Sequence, residues 1–493
     1  MTSFRILRLN TKFLPHRQRT DFYRSFFMSF LCVCLSVSTR EAHTADVFDM
    51  EAIHDASTLE TQILQPWGTV PGMIATRQLL VTINVGPIWP GQDYRIPVRM
   101  VVPADRKARG FHLTGGNTPA RLEQPLRPGG TNLQLLKGGV GLVMTVVQEP
   151  GSYGQGRLGG ESERRFANSL NARHKIQYWA WPATLMRAIT AAYAETDYFT
   201  RGKVAVSGGS KNGASPSMAI IHDNRMTALH ATVSPIWDSP LRLCDTGTWE
   251  RHLSGGGQQR GFSGGHFGPN FSQRALDAGH TWKELQEFTR GISDQVFISR
   301  NLSSLRERNV SMLFHPGTHD MVAYDLAWGG SNHPSIPVYL GANTGHGKKG
   351  HPQTERDQQN KTVLLLQHFF PDAFDSQMLA PPEVETEVRD DILQVTVRFP
   401  KGAGEETGQI WWIYNRAPDG SPQYLKQPIP DDHTKPMSGV ASSGIWRTEI
   451  VLDSSASRID IFTNHRKTFV YQGRPYKTYI SSPYTRVSLK KTD

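Results

Sequence analysis

The sequence predicts a doubly wound, mostly parallel α/β sheet followed by a C-terminal β-sandwich. Three observations predict it. Short apolar, β-branched runs alternate with helical stretches through most of the chain. Those runs are nearly continuous in apolar residues, the mark of strands covered on both faces of a parallel sheet. From about residue 384 onward only strand patterns remain.

Taken in order, ATRQLLVTINV and YRIPVRMVVPAD are two strands joined by the turn GPIWPGQD. GFHLTGG (110–116) is a third, ending in glycines, and GGVGLVMTVVQ (138–148) a fourth. IQYWAWPATLMRAITAAYAE (176–195) has helical composition, and KVAVSGG is the fifth strand. Helical SMAIIHDNR, a sixth strand LHATVSPIW, helical TWKELQEFTRGI and a seventh strand VSMLFHPGTHD follow. An eighth strand, IPVYLGANTGHG, and a closing helix, KTVLLLQHFF, complete an α/β domain over 46–378. Residues 243–280, rich in Gly, His and Arg, interrupt it between strands six and seven. A long excursion there reads as a lid or substrate-facing loop. Residues 384–493 hold VETEVRDDILQVTVRFP, GQIWWIYNRAP, WRTEIVLD, RIDIFTNH and YKTYISS. They suit an Ig-like sandwich, which runs to about 100 residues.

The 493 residues, 38% of them hydrophobic, suffice for a sizeable core and suit about two or three domains. The net charge of +10 lies partly in the first forty residues, and acids and bases are mixed elsewhere. No clustered basic stripe with a reading element is present, so no nucleic-acid partner is predicted. SFFMSFLCVCLSVS (25–38) is preceded by positive charge and falls short of the roughly 20 apolar residues a membrane span needs. Residues 1–45 therefore read as a signal peptide cleaved after Ala45, giving a periplasmic or secreted protein, with an uncleaved membrane anchor as the alternative. Cys32 and Cys34 lie inside that leader. Cys244 is then alone in the mature chain and forms no intramolecular disulfide. Its setting, LRLCDTG, has no strand-to-turn character, so it reads as a packed thiol.

The stretch VAVSGGSKNGA (204–214) carries the chemistry. A nucleophile on a tight turn after strand five of a doubly wound sheet needs small neighbours two residues to either side. Gly208 stands two before Ser210. Asn212 stands two after, where glycine is usual, and Asn tolerates left-handed backbone better than most residues. The Lys211 N–H then faces a developing oxyanion, and a second donor comes from the loop after strand three, with Gly115, Gly116 and Asn117 as candidates. The base belongs after the last strand, where His346 stands among small residues. The acid belongs after strand six or seven. Asp238 and Asp320 are both in range, and Asp320 is preferred because GTHD leaves its carboxylate on a turn toward the histidine loop. The order Ser210, Asp320, His346 is that of α/β-hydrolases.

Three other patterns are set aside. GQGRLG (154–159) matches a dinucleotide fingerprint but does not open a helix at a strand end. ANTGHGKK (342–349) has Lys349 where a P-loop needs Ser or Thr. His315, His319, Asp320, His346 and His351 could be drawn as a metal cluster, but His315 and His319 straddle a Pro-Gly turn and share no helix face. Neither a metal nor a cofactor is predicted.

These residues resemble the PhoPQ-activated pathogenicity-related proteins over roughly residues 80–470. The likeness is carried by VRMVVPAD, the GGN loop, WPATLMRAI, VSGGSKNG, GTHD, NTGHG and the Trp-rich β domain. It implies an exported α/β-hydrolase with a C-terminal β domain, Ser210 as nucleophile, His346 as base and Asp320 as acid. A more distant likeness runs to glucuronoyl esterases, which act on sugar-acid esters. Pro216 departs from the family's continuous helix after the nucleophile, which places Ser215 as the cap of a helix starting at Pro216. The expected activity is hydrolysis of a carboxylic ester of a small molecule or glycan. The contrasting reading is a non-catalytic exported protein gripping a glycan or protein partner through exposed residues such as Trp411 or Trp412. A Ser210–His346 hydrogen bond would favour the enzyme.

Overall fold

The computed structural model describes residues 46–147, 158–232, 236–254, 273–320, 322–346, 352–421 and 423–489. The proposed leader, most of GQGRLG, the middle of the 243–280 excursion, Lys349 and His351 lie outside the described residues. No helix among the described residues is long and apolar enough to cross a membrane.

Eight strands form the first sheet: β1 (Gln62–Val70), β2 (Thr76–Trp89), β3 (Gln92–Pro103), β4 (Ala108–Thr114), β5 (Gly141–Thr145), β6 (Phe199–Gly209), β7 (Met226–Thr232) and β8 (Ser311–His315). Their order across the sheet is β1-β2-β3-β5-β4-β6-β7-β8. The pairs β1/β2, β2/β3 and β3/β5 are antiparallel. From β5 through β4, β6 and β7 to β8 every pair is parallel. This is an α/β-hydrolase sheet, with the β5/β4 exchange before the central strand. Burial explains why these strands lack alternation: all five residues of β5 are buried, as are Val204–Ser207 of β6.

Helices cover the sheet. α1 (Ala180–Ala194) is buried from Ala180 through Ala192, as a helix apolar all round must be. Its Arg187 is 1% exposed and donates to the carbonyls of Ala52, Ile53, Asp55 and Asn84. One buried guanidinium thus fastens the chain's first described turns to the sheet. α2 (Lys211–His222) follows β6, and α3 (Pro352–Phe369) packs behind β6, β7 and β8.

The structure departs from the sequence reading in three places. β1 was not foreseen; it is an edge strand with most residues exposed, so burial leaves no pattern in it. The eighth strand is irregular, touching the sheet through parallel bridges at Phe314/Val338 and Gly317/Gly341. The flanks of the 243–280 excursion are packed: Leu241, Cys244, Trp249 and Ala275 share a small core with Leu285 and Tyr324.

The C-terminal part is antiparallel throughout. β9 (Glu383–Arg389), β10 (Ile392–Arg398), β13 (Ser438–Gly439) and β14 (Ile445–Val451) form a sheet ordered β13-β14-β10-β9. β11 (Thr407–Tyr414), β12 (Thr434–Pro436), β15 (Arg458–Tyr471) and β16 (Arg474–Ser481) form the second, with β17 (Thr485–Ser488) paired to β15. β10 alternates strictly, burying Leu393, Val395 and Val397, which face Ile410, Trp446, Ile450, Ile459 and Ile461 in one core. That is the period of two expected of a sandwich face.

The sandwich grips the α/β part through buried polar groups. Arg416, fully buried, has its guanidinium 3.7 Å from the Tyr424 ring centroid. It donates to the Thr318 carbonyl, to Tyr484 Oη at 2.8 Å and to the Tyr424 carbonyl. The Ser481 N–H donates to the Val338 carbonyl, and Ser481 Oγ accepts from the Leu340 N–H at 2.7 Å. Replacing Arg416 by Leu strips three buried acceptors of their donor, at about 1–3 kcal/mol for an unsatisfied buried group. Arg416→Leu is therefore expected to lower unfolding stability by about 3 kcal/mol in urea titration. A change below about 1 kcal/mol would show that the sandwich is held some other way.

Candidate active site

β6 ends in Gly208 and Gly209, and the chain then reverses at Ser210, with φ 56° and ψ −131°. Such backbone costs an L-residue about 1–3 kcal/mol and persists only where its surroundings enforce it. Here the Ser210 N–H donates to the carbonyl of Thr232, at the end of β7, at 2.9 Å. The Ser210 carbonyl accepts from the N–H groups of Gly213 and Ala214, both at 2.9 Å. The turn is too tight for side chains on its inside. A Cβ on Gly208 would lie 1.9 Å from the Asn212 carbonyl oxygen, and one on Gly213 would lie 2.9 Å from the Gly208 oxygen.

One expectation about this turn is corrected. The helix begins at Lys211, and Pro216 sits inside it; Ser215 is not its cap but donates from Oγ to the Lys211 carbonyl. Pro216 has no N–H for the Asn212 carbonyl, which faces Gly208, where an added Cβ would lie 1.9 Å from it. Ser210 alone carries the positive φ in this turn. Asn212 is helical, and its side chain lies against Gly116, where an added Cβ would meet Nδ2 at 3.2 Å.

That contact brings the Gly115–Asn117 loop beside the first turn of α2. Gly115 has no room for a side chain, since a Cβ would lie 2.3 Å from Val147 Cγ2. Its carbonyl accepts from the Val147 N–H, and Asn117 Nδ2 donates to the Thr145 carbonyl at 3.0 Å. The loop is thereby pinned to the end of β5. The Lys211 and Asn212 N–H groups stand at the helix start, ahead of any intrahelical acceptor.

Asp320 follows β8 and is fully buried. The Val322 N–H donates to its Oδ1 at 2.8 Å. His346 Nδ1 lies 3.2 Å from both Asp320 oxygens, and the His346 side chain is 30% exposed. The hydrogen bond to Asp320 raises the His346 pKa above its ordinary 6.5, with burial opposing. Asp238, the other acid in range, is engaged elsewhere. Ser299 Oγ donates to it at 2.7 Å, Arg300 Nε lies 2.6 Å away and His333 Nε2 3.1 Å away. Burial pushes the Asp238 carboxyl up, but the bonds from His333 and Ser299 and the Arg300 charge outweigh it and bring it to about 2.

Ser210, Asp320 and His346 thus stand at the carboxyl ends of parallel elements, with β7 and β8 between the serine and the histidine segment. Among the described residues, Ser210 Oγ and His346 Nε2 make no hydrogen bond to each other. The remaining histidines do not converge: His319 Nε2 bonds the Gln427 carbonyl at 2.6 Å, and His315 turns to Asp357. Cys244 is buried, which pushes its thiol up to about 12. Neither Trp411 nor Trp412 is exposed. Both are half-buried, Trp411 stacking on Phe462 and Trp412 on His433.

The sequence reading missed the groups that hold these residues. Thr232 and Val322 act through backbone atoms, which any residue type supplies. Asn343 exchanges two 2.8 Å bonds with the backbone of Ile429. Only its place beside the histidine motif hinted at it.

No family model matches the chain, and no curated protein matches its sequence. Solved structures that resemble it include acetyl xylan esterase 1 from Thermoanaerobacterium sp., at 14% identity and TM-score 0.36 over 64% of this chain and 92% of that one. A glucuronoyl esterase from Teredinibacter turnerae aligns at 10% identity and TM-score 0.37, over 64% of this chain and 79% of its own. Candida antarctica lipase A aligns at 11% identity and TM-score 0.31, over 62% and 81%. At those values the likeness is remote and adds nothing to the strand order, which already gives the architecture.

Proposed function

We propose that the chain is an exported serine hydrolase that cleaves a carboxylic ester of a small molecule or glycan, with Ser210 as nucleophile, His346 as base and Asp320 as acid. The observation that carries this reading is the Ser210 backbone. A strained serine at a strand-to-helix turn, with glycines cleared from the turn's inside, has no structural purpose that an ordinary residue would not serve better. Residues 1–45 serve as the export signal in this reading, 46–378 as the hydrolase domain and 384–493 as the β-sandwich. The motif series resembles that of the PhoPQ-activated pathogenicity-related proteins, and this likeness supports the reading.

The chemistry follows from the geometry. Ser210 Oγ attacks the ester carbon while His346 Nε2 takes its proton. His346 can do so because Nδ1 is committed to Asp320, which fixes the ring and stabilises the imidazolium. The Lys211 N–H and the Gly115–Asn117 loop receive the oxyanion. Collapse expels the alcohol, which takes the proton from His346, and water then releases the acid by the same route. In this reading the Ser210–His346 hydrogen bond forms only when substrate is bound, since catalytic pairs are often poorly aligned without it.

Ser210→Ala is expected to abolish both labelling by a fluorophosphonate probe and turnover of a small acyl ester, while the wild type labels. A folded wild type that never labels sinks the reading. The pH profile gives a second check. A base must be neutral, so the rate should rise as pH climbs through the His346 pKa, above 6.5. Asp320→Asn removes the group that raises it, so the rising limb should move to lower pH, and the plateau should fall by about 10⁴. For stability the sign is opposite: the His346–Asp320 pair contributes fully below pH 6.5 and is lost as pH rises through the elevated value. A limb that stays in place in Asp320→Asn would remove Asp320 from its role.

A further inference from the structure

We propose that Asp357 is a positioning residue that fixes the Ser210 turn and the Asp320 loop together, acting through Thr232 and His315. The inference rests on Ser210 being the nucleophile and goes beyond it, because Asp357 touches none of the three reacting residues.

Asp357 lies on α3 and is 1% exposed. Its Oδ2 accepts from Thr232 Oγ1 at 2.7 Å. Its Oδ1 lies 3.0 Å from His230 Nε2 and 3.0 Å from His315 Nδ1. One carboxylate therefore meets three side chains from the ends of two adjacent parallel strands. Two of them, Thr232 and His315, lead to the site. Thr232 is the residue whose carbonyl holds the Ser210 N–H. His315 ends β8 and opens the turn that carries Asp320. It also packs against Gly341, where a Cβ would lie 3.0 Å from His315 Nε2. The Gly341 carbonyl in turn accepts from the Thr318 N–H, two residues before Asp320.

A buried carboxylate is costly unless it is surrounded by partners. Asp357 has His230 from β7, His315 from β8, and Lys361 and Tyr339 nearby. Burial works against its charge, but the two imidazoles outweigh burial and hold the carboxyl well below its ordinary range. The cluster is closed to solvent: His230 is 1% and His315 5% exposed. No substrate can reach it, so its effect must pass through the position of Thr232 and His315.

The test uses the full chain and the second-order rate of fluorophosphonate labelling, expressed per folded molecule by circular dichroism. Asp357→Asn and Thr232→Val should each slow labelling by roughly 10- to 100-fold, the scale of a small misplacement of a reacting group. On a chromogenic acyl ester kcat should fall with KM unchanged. Thr232→Ser keeps the hydroxyl and should recover most of what Thr232→Val loses. If both Asp357→Asn and Thr232→Val label at the wild-type rate and only melt earlier, Asp357 is structural and the proposal is overturned. Should Asp357→Asn fail to fold, Thr232→Val carries the test alone. A wild type that does not label takes down the nucleophile reading, and the positioning role with it, before any variant is made.

Discussion

The hydrogen bond from the Ser210 N–H to the Thr232 carbonyl is the interaction on which the site depends. Ser210 occupies backbone space that costs about 1–3 kcal/mol, while a single hydrogen bond returns only about 0.5–1.5 kcal/mol net. The bond alone therefore does not hold the turn. It must be supplemented, and the structure shows by what. The first turn of α2 closes on the Ser210 carbonyl with two further bonds. Gly208 and Gly213 remove the side chains that would force the strand end and the helix apart. The acceptor itself is fixed at both ends, by strand pairing with β6 and by its own hydroxyl on Asp357. The strain is affordable because a closely packed parallel sheet cannot relax it locally.

The sandwich extends the same logic to the other side of the site. The loop before Asp320 is held by Arg416 through the Thr318 carbonyl and by Gln427 through His319. The loop before His346 is held by Ile429 through Asn343. Ser481 and Asn464 occupy the outer edge of the Val338–Leu340 segment. An edge strand left bare would be open to other chains; here the sandwich covers it. This explains why that segment shows only two bridges to the sheet. Its remaining polar groups face the sandwich, so regular pairing on the sheet side is not required to satisfy them.

How much of this could be read in the sequence follows from the range of the interactions. Strands buried on both faces advertise themselves as nearly unbroken apolar runs, so β2 through β8 were legible. β1 was not, because an exposed edge strand shows no burial pattern. Gly208, Ser210 and Gly213 were legible because the turn's sterics act within five residues. Pro216 misled because local rules place proline at a helix start, whereas here it sits inside α2. Arg416 and Asp357 were invisible. Most of their partners lie tens of residues away or more, and nothing in RDQQNK or YNRAP distinguishes a buried charge from a solvated one.

Two sets of histidine and aspartate stand at the same end of this sheet, and exposure alone separates their uses. Asp320 and Asp357 are equally buried, and each meets imidazole nitrogen within hydrogen-bonding distance. His346 is 30% exposed and has one nitrogen beyond its carboxylate, so a proton can arrive from outside and leave again. His230 and His315 are enclosed, at 1% and 5% exposure. Proton transfer needs access as well as a suitable pKa, so in the proposed reading the same residue types serve chemistry at one position and mechanics at the other. The enclosed set also gains from its enclosure. Electrostatic contacts strengthen in a low-dielectric interior, which is what a fixed anchor for the Thr232 carbonyl requires, whereas a proton-shuttling pair so enclosed would be locked in one charge state.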